Sequence, residues 1–197
     1  MAEQAFLWLA PMFLSLLQPD ELIFVWAALC LEKSIIVVSD NKLLLSSAIL
    51  TLQTLLSPFK WCLVSIPILP MSLVDLLDAP IPIIVGVPQE IEVEIPCLVN
   101  PKGHEETLQD KVVIRINSIG SSVGQKVLKI EKNGIEIPLP DFNSLAQLLT
   151  PLLASLQNSS RTKNMRNSNF LADILLQPNE EQQQALLQIQ SMFQTSL

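Results

Sequence analysis

The chain has 197 residues, 49% of them hydrophobic and only 16% charged, with 12 Lys plus Arg against 19 Asp plus Glu for a net charge of −7. That length allows one domain, or one plus an appendage, with a substantial core, and the acidic balance excludes a groove for nucleic acid, which needs clustered Lys and Arg. The mean hydropathy of +0.42 asks either for a membrane or for apolar faces that a partner covers, but Ala5 to Leu17 and Leu22 to Leu31 are each shorter than the about 20 apolar residues a spanning helix needs.

Met-Ala-Glu-Gln provides no positive n-region, so a signal peptide is not expected. Ala5 to Gln18 is helical in composition but broken by Pro11, which predicts two short helices. Asp20 is the expected N-cap of a helix to about Leu31 that is apolar nearly all round and must therefore be covered on most sides. Ser34 to Ser39 holds the β-branched run of a buried parallel strand. Asp40 or Asn41 can cap a helix over 42–56, and the next apolar run starts at Leu63, which makes a βαβ unit.

Ser57 to Gly86 is the densest pattern in the chain. Strand-length runs at Leu63 to Leu69 and Ile81 to Val85 flank a Pro70-Met71-Ser72 turn and a short helix ending at Asp78. Pro58, Pro67, Pro70, Pro80 and Pro82 fix its corners, and Gly86 closes the last run. The alternation of strands and helices places the fold in the α/β class, with a mostly parallel central sheet.

From about Pro88 to Gln125 the pattern changes. Glu90, Glu92 and Glu94 alternate with Ile91, Val93 and Ile95, Asn100 to Asp110 is a polar loop, and Val112, Ile114 and Ile116 alternate again. Period two predicts half-exposed strands in an accessory ribbon at the sheet margin. Asn133-Gly134 predicts a type I′ hairpin within Leu128 to Leu139, setting Ile130 opposite Ile137 and Glu131 across from Glu136 on a solvated face. Apolar residues from Phe142 to Leu156 then fall at helical spacing around Pro151, which divides the pattern or starts a second helix. Asn158 to Asn169 reads as a linker, and its Arg161, Lys163 and Arg166 as solvated charges. A short helix over Phe170 to Leu176 follows. Asn179 with Gln182 can cap another, in which Leu186, Ile189 and Phe193 share a face with little sequence left to cover it.

No catalytic, cofactor or metal constellation emerges. His104 sits beside Glu105 and Glu106 in the polar loop with no oriented nucleophile, and Cys30, Cys62 and Cys97 are too dispersed for a metal site or a disulfide framework. They read as reduced thiols in the cytosol. Gly120 to Lys126 lacks phosphate-loop spacing, and Asp75 and Asp78 fit turn and capping roles. Ser39, Asp40 and Asn41 lie where open α/β sheets place ligand-contacting loops, and equally where a helix cap belongs.

Leu31-Glu32-Lys33, the strand to Ser39-Asp40-Asn41, Pro58-Phe59-Lys60-Trp61, Ile66-Pro67-Ile68-Leu69-Pro70, Leu76-Leu77-Asp78-Ala79-Pro80-Ile81-Pro82 and Gly86-Val87 together resemble the central module of the DENN domain. Order and spacing agree from about Pro19 to Val87. Val127 to Pro140 is similar to a later strand of that module, and the last helices to the start of the family's downstream module. The resemblance implies a central module over 1–141, with about 88–125 inserted, followed by an incomplete downstream helical module over 142–197. About eighteen residues precede the first matched helix, so the family's upstream longin-like module is not expected within the chain. Where the family often has a polar Gln-His-type pair after Trp61, Cys62 and Leu63 stand here.

The resemblance further implies a guanine-nucleotide exchange factor for a Rab-type small GTPase in vesicle traffic, cytoplasmic and peripheral on membranes, in which no bond is made or broken. A truncated module that binds a GTPase or scaffolds without exchange is the alternative. Ser39, Asp40 and Asn41 are the candidate partner interface. Glu32, Pro58, Phe59, Trp61, Pro67, Pro70, Asp78, Ala79, Pro80, Pro82 and Gly86 are the residues that carry the family pattern.

Overall fold

The computed structural model describes residues 2–99, 108–117, 128–135, 137, 142–157 and 178–195. His104, the Gly120 to Lys126 turn, Glu136, the 158–169 linker and the helix expected over Phe170 to Leu176 lie outside the described residues. In chain order the elements are α1 (Ala2–Leu14), α2 (Pro19–Cys30), β1 (Ser34–Ser39), α3 (Lys42–Leu55), β2 (Val64–Ile66), a 3-10 helix (Met71–Asp78), β3 (Ile83–Pro88), two short helices α4 (Gln89–Glu92) and α5 (Pro96–Val99), β4 (Lys111–Ile116), β5 (Leu128–Glu131), α6 (Phe142–Gln157) and α7 (Glu180–Thr195).

The five strands form one sheet in the order β2-β3-β1-β4-β5. β1 lies at its centre, parallel to β3 on one side and to β4 on the other, and only β5 at the margin runs antiparallel. All six residues of β1 and of β3 are buried, as uninterrupted apolar strands with two covered faces must be. Side-chain alternation divides the core. Ile35, Val37, Ile84, Val112 and Ile114 point into the larger half beneath α1, α2, α3, α6 and α7. Ile36, Val38, Val85, Val87 and Val113 point to the other face, where Leu69, Leu77, Ile95 and Leu98 cover them. Thick helical packing therefore occupies one face, and short irregular segments the other.

The helical layer explains the apolar composition. Leu22 to Leu29 of α2 are all buried, because β1, α3 and α6 surround it. Leu186, Ile189 and Phe193 are fully covered as well: α7 packs on α6 and α1, and Phe193 stacks on Trp26 with ring centroids 4.7 Å apart. Asn179 and Gln182 form the expected capping box, with Asn179 Oδ1 accepting from Gln182 N at 2.8 Å and Gln182 Oε1 from Asn179 N at 3.2 Å.

Several expectations are corrected. α1 is one helix through Pro11, held by its packing on α3, where Ser47 Oγ donates to Leu9 O at 2.7 Å. α6 likewise continues through Pro151. The helix read from Asp20 is capped two residues earlier, since Gln18 is its N-cap and Gln18 N donates to Glu21 Oε2 at 2.9 Å. The strand read at Leu63 to Leu69 shortens to three residues, because Pro67 cannot continue the ladder.

Glu90 to Ile95 is not a strand. Ile91, Ile95 and Leu98 pack on the sheet at a spacing of four and three, the helical repeat that a six-residue alternation cannot distinguish from period two. β4, read as an accessory ribbon, is an interior strand of the central sheet. Its apparent exposed face is covered because Val113 is apolar and Arg115 is neutralised by Glu92, donates to Leu98 O at 2.7 Å, and lies 3.4 Å from Glu131. Glu131 is thereby half-buried rather than solvated, and Ile130 pairs with Ile114 across β4. The Asn133-Gly134 turn does take positive φ at both residues, +42° and +82°.

Candidate functional site

Ser39, Asp40 and Asn41 sit where β1 ends and α3 begins. Asn41 is the N-cap: its Oδ1 accepts from Leu43 N at 3.0 Å and Leu44 N at 3.1 Å. Ser39 Oγ accepts from Asn41 N at 3.2 Å and donates toward Asp40 Oδ1 at 3.4 Å. Lys42 and Glu90 form an exposed ion pair beside them at 3.3 Å. The triplet's polar groups are thus largely engaged in starting a helix, and Asp40 is its exposed member.

Most of the residues carrying the family pattern hold the segment from Pro58 to Gly86 against the sheet. Gly86 lies directly under Pro67, whose carbonyl oxygen would be 2.1 Å from a Cβ placed there, and Gly86 O accepts from Leu69 N at 2.7 Å. Only glycine permits that approach. Pro70 precedes the first residue of the 3-10 helix, where a missing N–H costs nothing. The end of that helix, where Asp78-Ala79-Pro80 begins, is anchored by Lys111, whose Nζ donates to Leu77 O. Burial pulls the Lys111 amine below its ordinary value, against the opposing charges of Cys97 and Asp78. Burial pushes the neighbouring Cys97 thiol up, and the Asp78 carboxylate adds to the same shift. Pro82 leads into β3, and Ile83 N donates to Ser34 Oγ at 3.2 Å, which ties the two strand starts together.

Glu32, Phe59 and Trp61 do something different. They meet around a cavity of about 300 Å³ at the other end of β1 from Asn41. The end of α2 contributes Leu29, Cys30 and Glu32, the end of α3 contributes Leu56, and the loop into β2 contributes Phe59 through Leu63. Trp61 is fixed by a bond from its Nε1 to Val64 O at 3.1 Å. Phe59 remains 60% exposed, with Leu31 and Leu63 exposed nearby in sequence. Pro58 enters the loop through a cis peptide bond, and Gln194 Nε2 at the end of α7 donates to Ser57 Oγ at 3.2 Å.

Glu32 has a left-handed backbone, φ +52°. It occupies the C′ position of a Schellman ending for α2: Lys33 N bonds Ala28 O at 2.9 Å and Glu32 N bonds Leu29 O at 3.0 Å. Glycine is the usual residue there. Cys30 is exposed as a residue, yet partial desolvation at the cavity pushes its thiol up to about 11. Leu29, Cys30, Leu56, Lys60, Cys62 and Leu63 were not singled out by the sequence as a site. The sequence signal for this place is Glu32, Phe59 and Trp61 within the family pattern, with the departure at Cys62 and Leu63 beside them.

Comparison with known proteins decides the family. The model of the DENN (AEX-3) domain matches residues 9–107. The chain belongs to the DENN domain family. The match begins before Pro19 and continues past Val87, so the second half of α1 and all of α4 and α5 are part of the DENN match. Over 66 residues the chain is 41% identical to DENN domain-containing protein 2B of Mus musculus, a stretch equal to 34% of this chain and 6% of that protein. The human DENN domain-containing protein 2B gives the same identity and coverage. DENN domain-containing protein 2A of Homo sapiens is 35% identical over 72 residues, 36% of this chain and 7% of the relative. The matched stretch is a small part of these DENN relatives and about a third of this chain.

Proposed function

We propose that the chain is a guanine-nucleotide exchange module for a Rab-type small GTPase, acting on the cytoplasmic side of vesicle membranes. Membership of the DENN family over residues 9–107 is the observation that carries this reading. Exchange requires no covalent step. A surface that binds the nucleotide-free GTPase more tightly than the nucleotide-bound form accelerates GDP release by that difference in affinity alone. A rigid sheet with fixed corners is suited to such work, because it keeps its shape while the partner changes.

The test is to mix the purified chain with a panel of Rab proteins loaded with fluorescent GDP and to follow release in excess unlabelled nucleotide. An active DENN protein run in parallel validates the panel. Faster release for at least one member is the expected result. Tight binding with unchanged release would replace exchange by a GTPase-binding or scaffolding role, and absence of both would overturn the proposal.

A further inference from the structure

We infer that the cavity between α2, α3 and the loop into β2 is where this chain grips its GTPase, receiving an apolar side chain of the partner between the charges of Glu32 and Lys60. The inference rests on the exchange-module reading and names the surface it would use.

Three observations converge on the cavity. Phe59 belongs to the Pro58-Phe59-Lys60-Trp61 stretch that carries the resemblance to the DENN family, yet packing within the module leaves it 60% exposed. An aromatic ring held outside the core beside a pocket of about 300 Å³ is the arrangement of an interface anchor. Secondly, Glu32 and Lys60 both line the cavity, and among the described residues neither forms an ion pair with the other or with a third group. Opposite charges that flank an apolar hollow without neutralising each other leave both signs available to a complementary partner surface. Thirdly, Glu32 keeps a carboxylate at a left-handed helix terminus where glycine is less strained. The strain is local, and a binding role for the side chain gives it a reason.

The occupant is a protein surface carrying one apolar side chain beside a basic group for Glu32 and an acidic group for Lys60. A small amphiphile or a second copy of this chain are the competing occupants, and the test separates them.

Binding of the full chain to the responsive Rab protein, nucleotide-free and GDP-loaded, is measured by titration calorimetry, with release rates alongside, for wild type, Glu32→Gly, Lys60→Glu, Phe59→Asp and the control Leu187→Asp, at an exposed residue that does not line the cavity. Circular dichroism and thermal unfolding verify each fold. Glu32→Gly is the decisive variant, since relief of the left-handed strain keeps Tm at or above wild type while affinity falls fivefold or more. Phe59→Asp weakens binding tenfold or more and Leu187→Asp leaves it unchanged. Affinity within twofold of wild type for Glu32→Gly and Phe59→Asp, with exchange intact, overturns the cavity assignment and leaves the exchange reading standing. If Phe59→Asp does not fold, Glu32→Gly and Lys60→Glu decide alone. A wild-type chain that neither binds nor accelerates any Rab protein overturns both. Loss of affinity in a dimerisation or detergent titration, but not in the GTPase titration, assigns the cavity to the competing occupants and overturns the inference.

Discussion

Gly86→Ala tests the central construction of the module. The new Cβ would stand 2.1 Å from Pro67 O, 3.1 Å from Pro67 C and 3.2 Å from Leu45 Cβ. The first two atoms are backbone and cannot rotate away, so β3 and the Pro67 crossing must separate by about 1 Å to restore van der Waals contact. Separation strains the bond from Leu69 N to Gly86 O, 2.7 Å in the native chain, and β3 is pinned by β1 on one side and β2 on the other. Overpacking of about 2 kcal/mol and a weakened hydrogen bond of about 1 kcal/mol give about 3 kcal/mol in all. For a chain of this size that lowers Tm by about 9 °C. Gly134→Ala is the control: nothing lies within 4 Å of its Cβ, and only the left-handed φ of +82° opposes it, at about 1 kcal/mol. Thermal unfolding and urea titration by circular dichroism measure both. If Gly86→Ala loses no more stability than Gly134→Ala, the close approach of Pro67 is not what makes Gly86 necessary.

Arg115→Met leaves Glu92 half-buried without the cation that neutralises it, leaves Glu131 to the exposed Lys129, and removes the donor to Leu98 O, so stability falls by about 2 to 3 kcal/mol in urea unfolding, and the additional Glu92→Gln change recovers part of that loss. Asn41→Ala removes the acceptor for Leu43 N and Leu44 N at the start of α3 and costs about 1 kcal/mol, whereas Asn41→Ser, which can still cap, costs less. Cys30 keeps its proton to about 11 rather than 9.0, so its alkylation by iodoacetamide, followed by mass spectrometry, rises in rate around pH 11 in the native chain and around pH 9 in urea. Because the folded value is the higher one, the stability it contributes is complete below about 9 and is lost as pH rises through about 11, and titration of native Cys30 near 9 would contradict this.

What the sequence displayed well was the pattern that burial imposes on long stretches. The β-branched run of β1, the apolar surface of α2 and the Asn179-Gln182 cap each follow from local composition, and the structure repeats them with boundaries shifted by a residue or two. The failures concern context. Pro11 and Pro151 are helix breakers in isolation, but packing against neighbouring helices outweighs one lost backbone bond. β4 displays Lys111 and Arg115 at positions that read as solvent-facing, and nothing local reveals that Glu92 and Glu131 will cover Arg115 from two other elements. The cavity was illegible for the same reason: Leu29, Leu56 and Leu63 come from three segments, and each is an ordinary leucine until the fold assembles them.

The two ends of β1 show why the position of a motif is a weaker guide than what its side chains have left to offer. The sequence offers the C-terminal end both as the place where α/β sheets usually bind ligands and as a helix cap, and there Asn41 and Ser39 do turn their polar groups to building a helix start. At the opposite end of β1, whose five residue steps span about 16 Å, Glu32 stands two residues before Ser34 in a conformation that disfavours it, faces a cavity, and has no ionic partner among the described residues. A polar group that caps a helix stabilises the fold, and a charge held in strain beside an apolar hollow does not. Selection for stability alone would place glycine at position 32. The carboxylate that stands there instead makes the N-terminal end of the sheet the end at which to look for the partner.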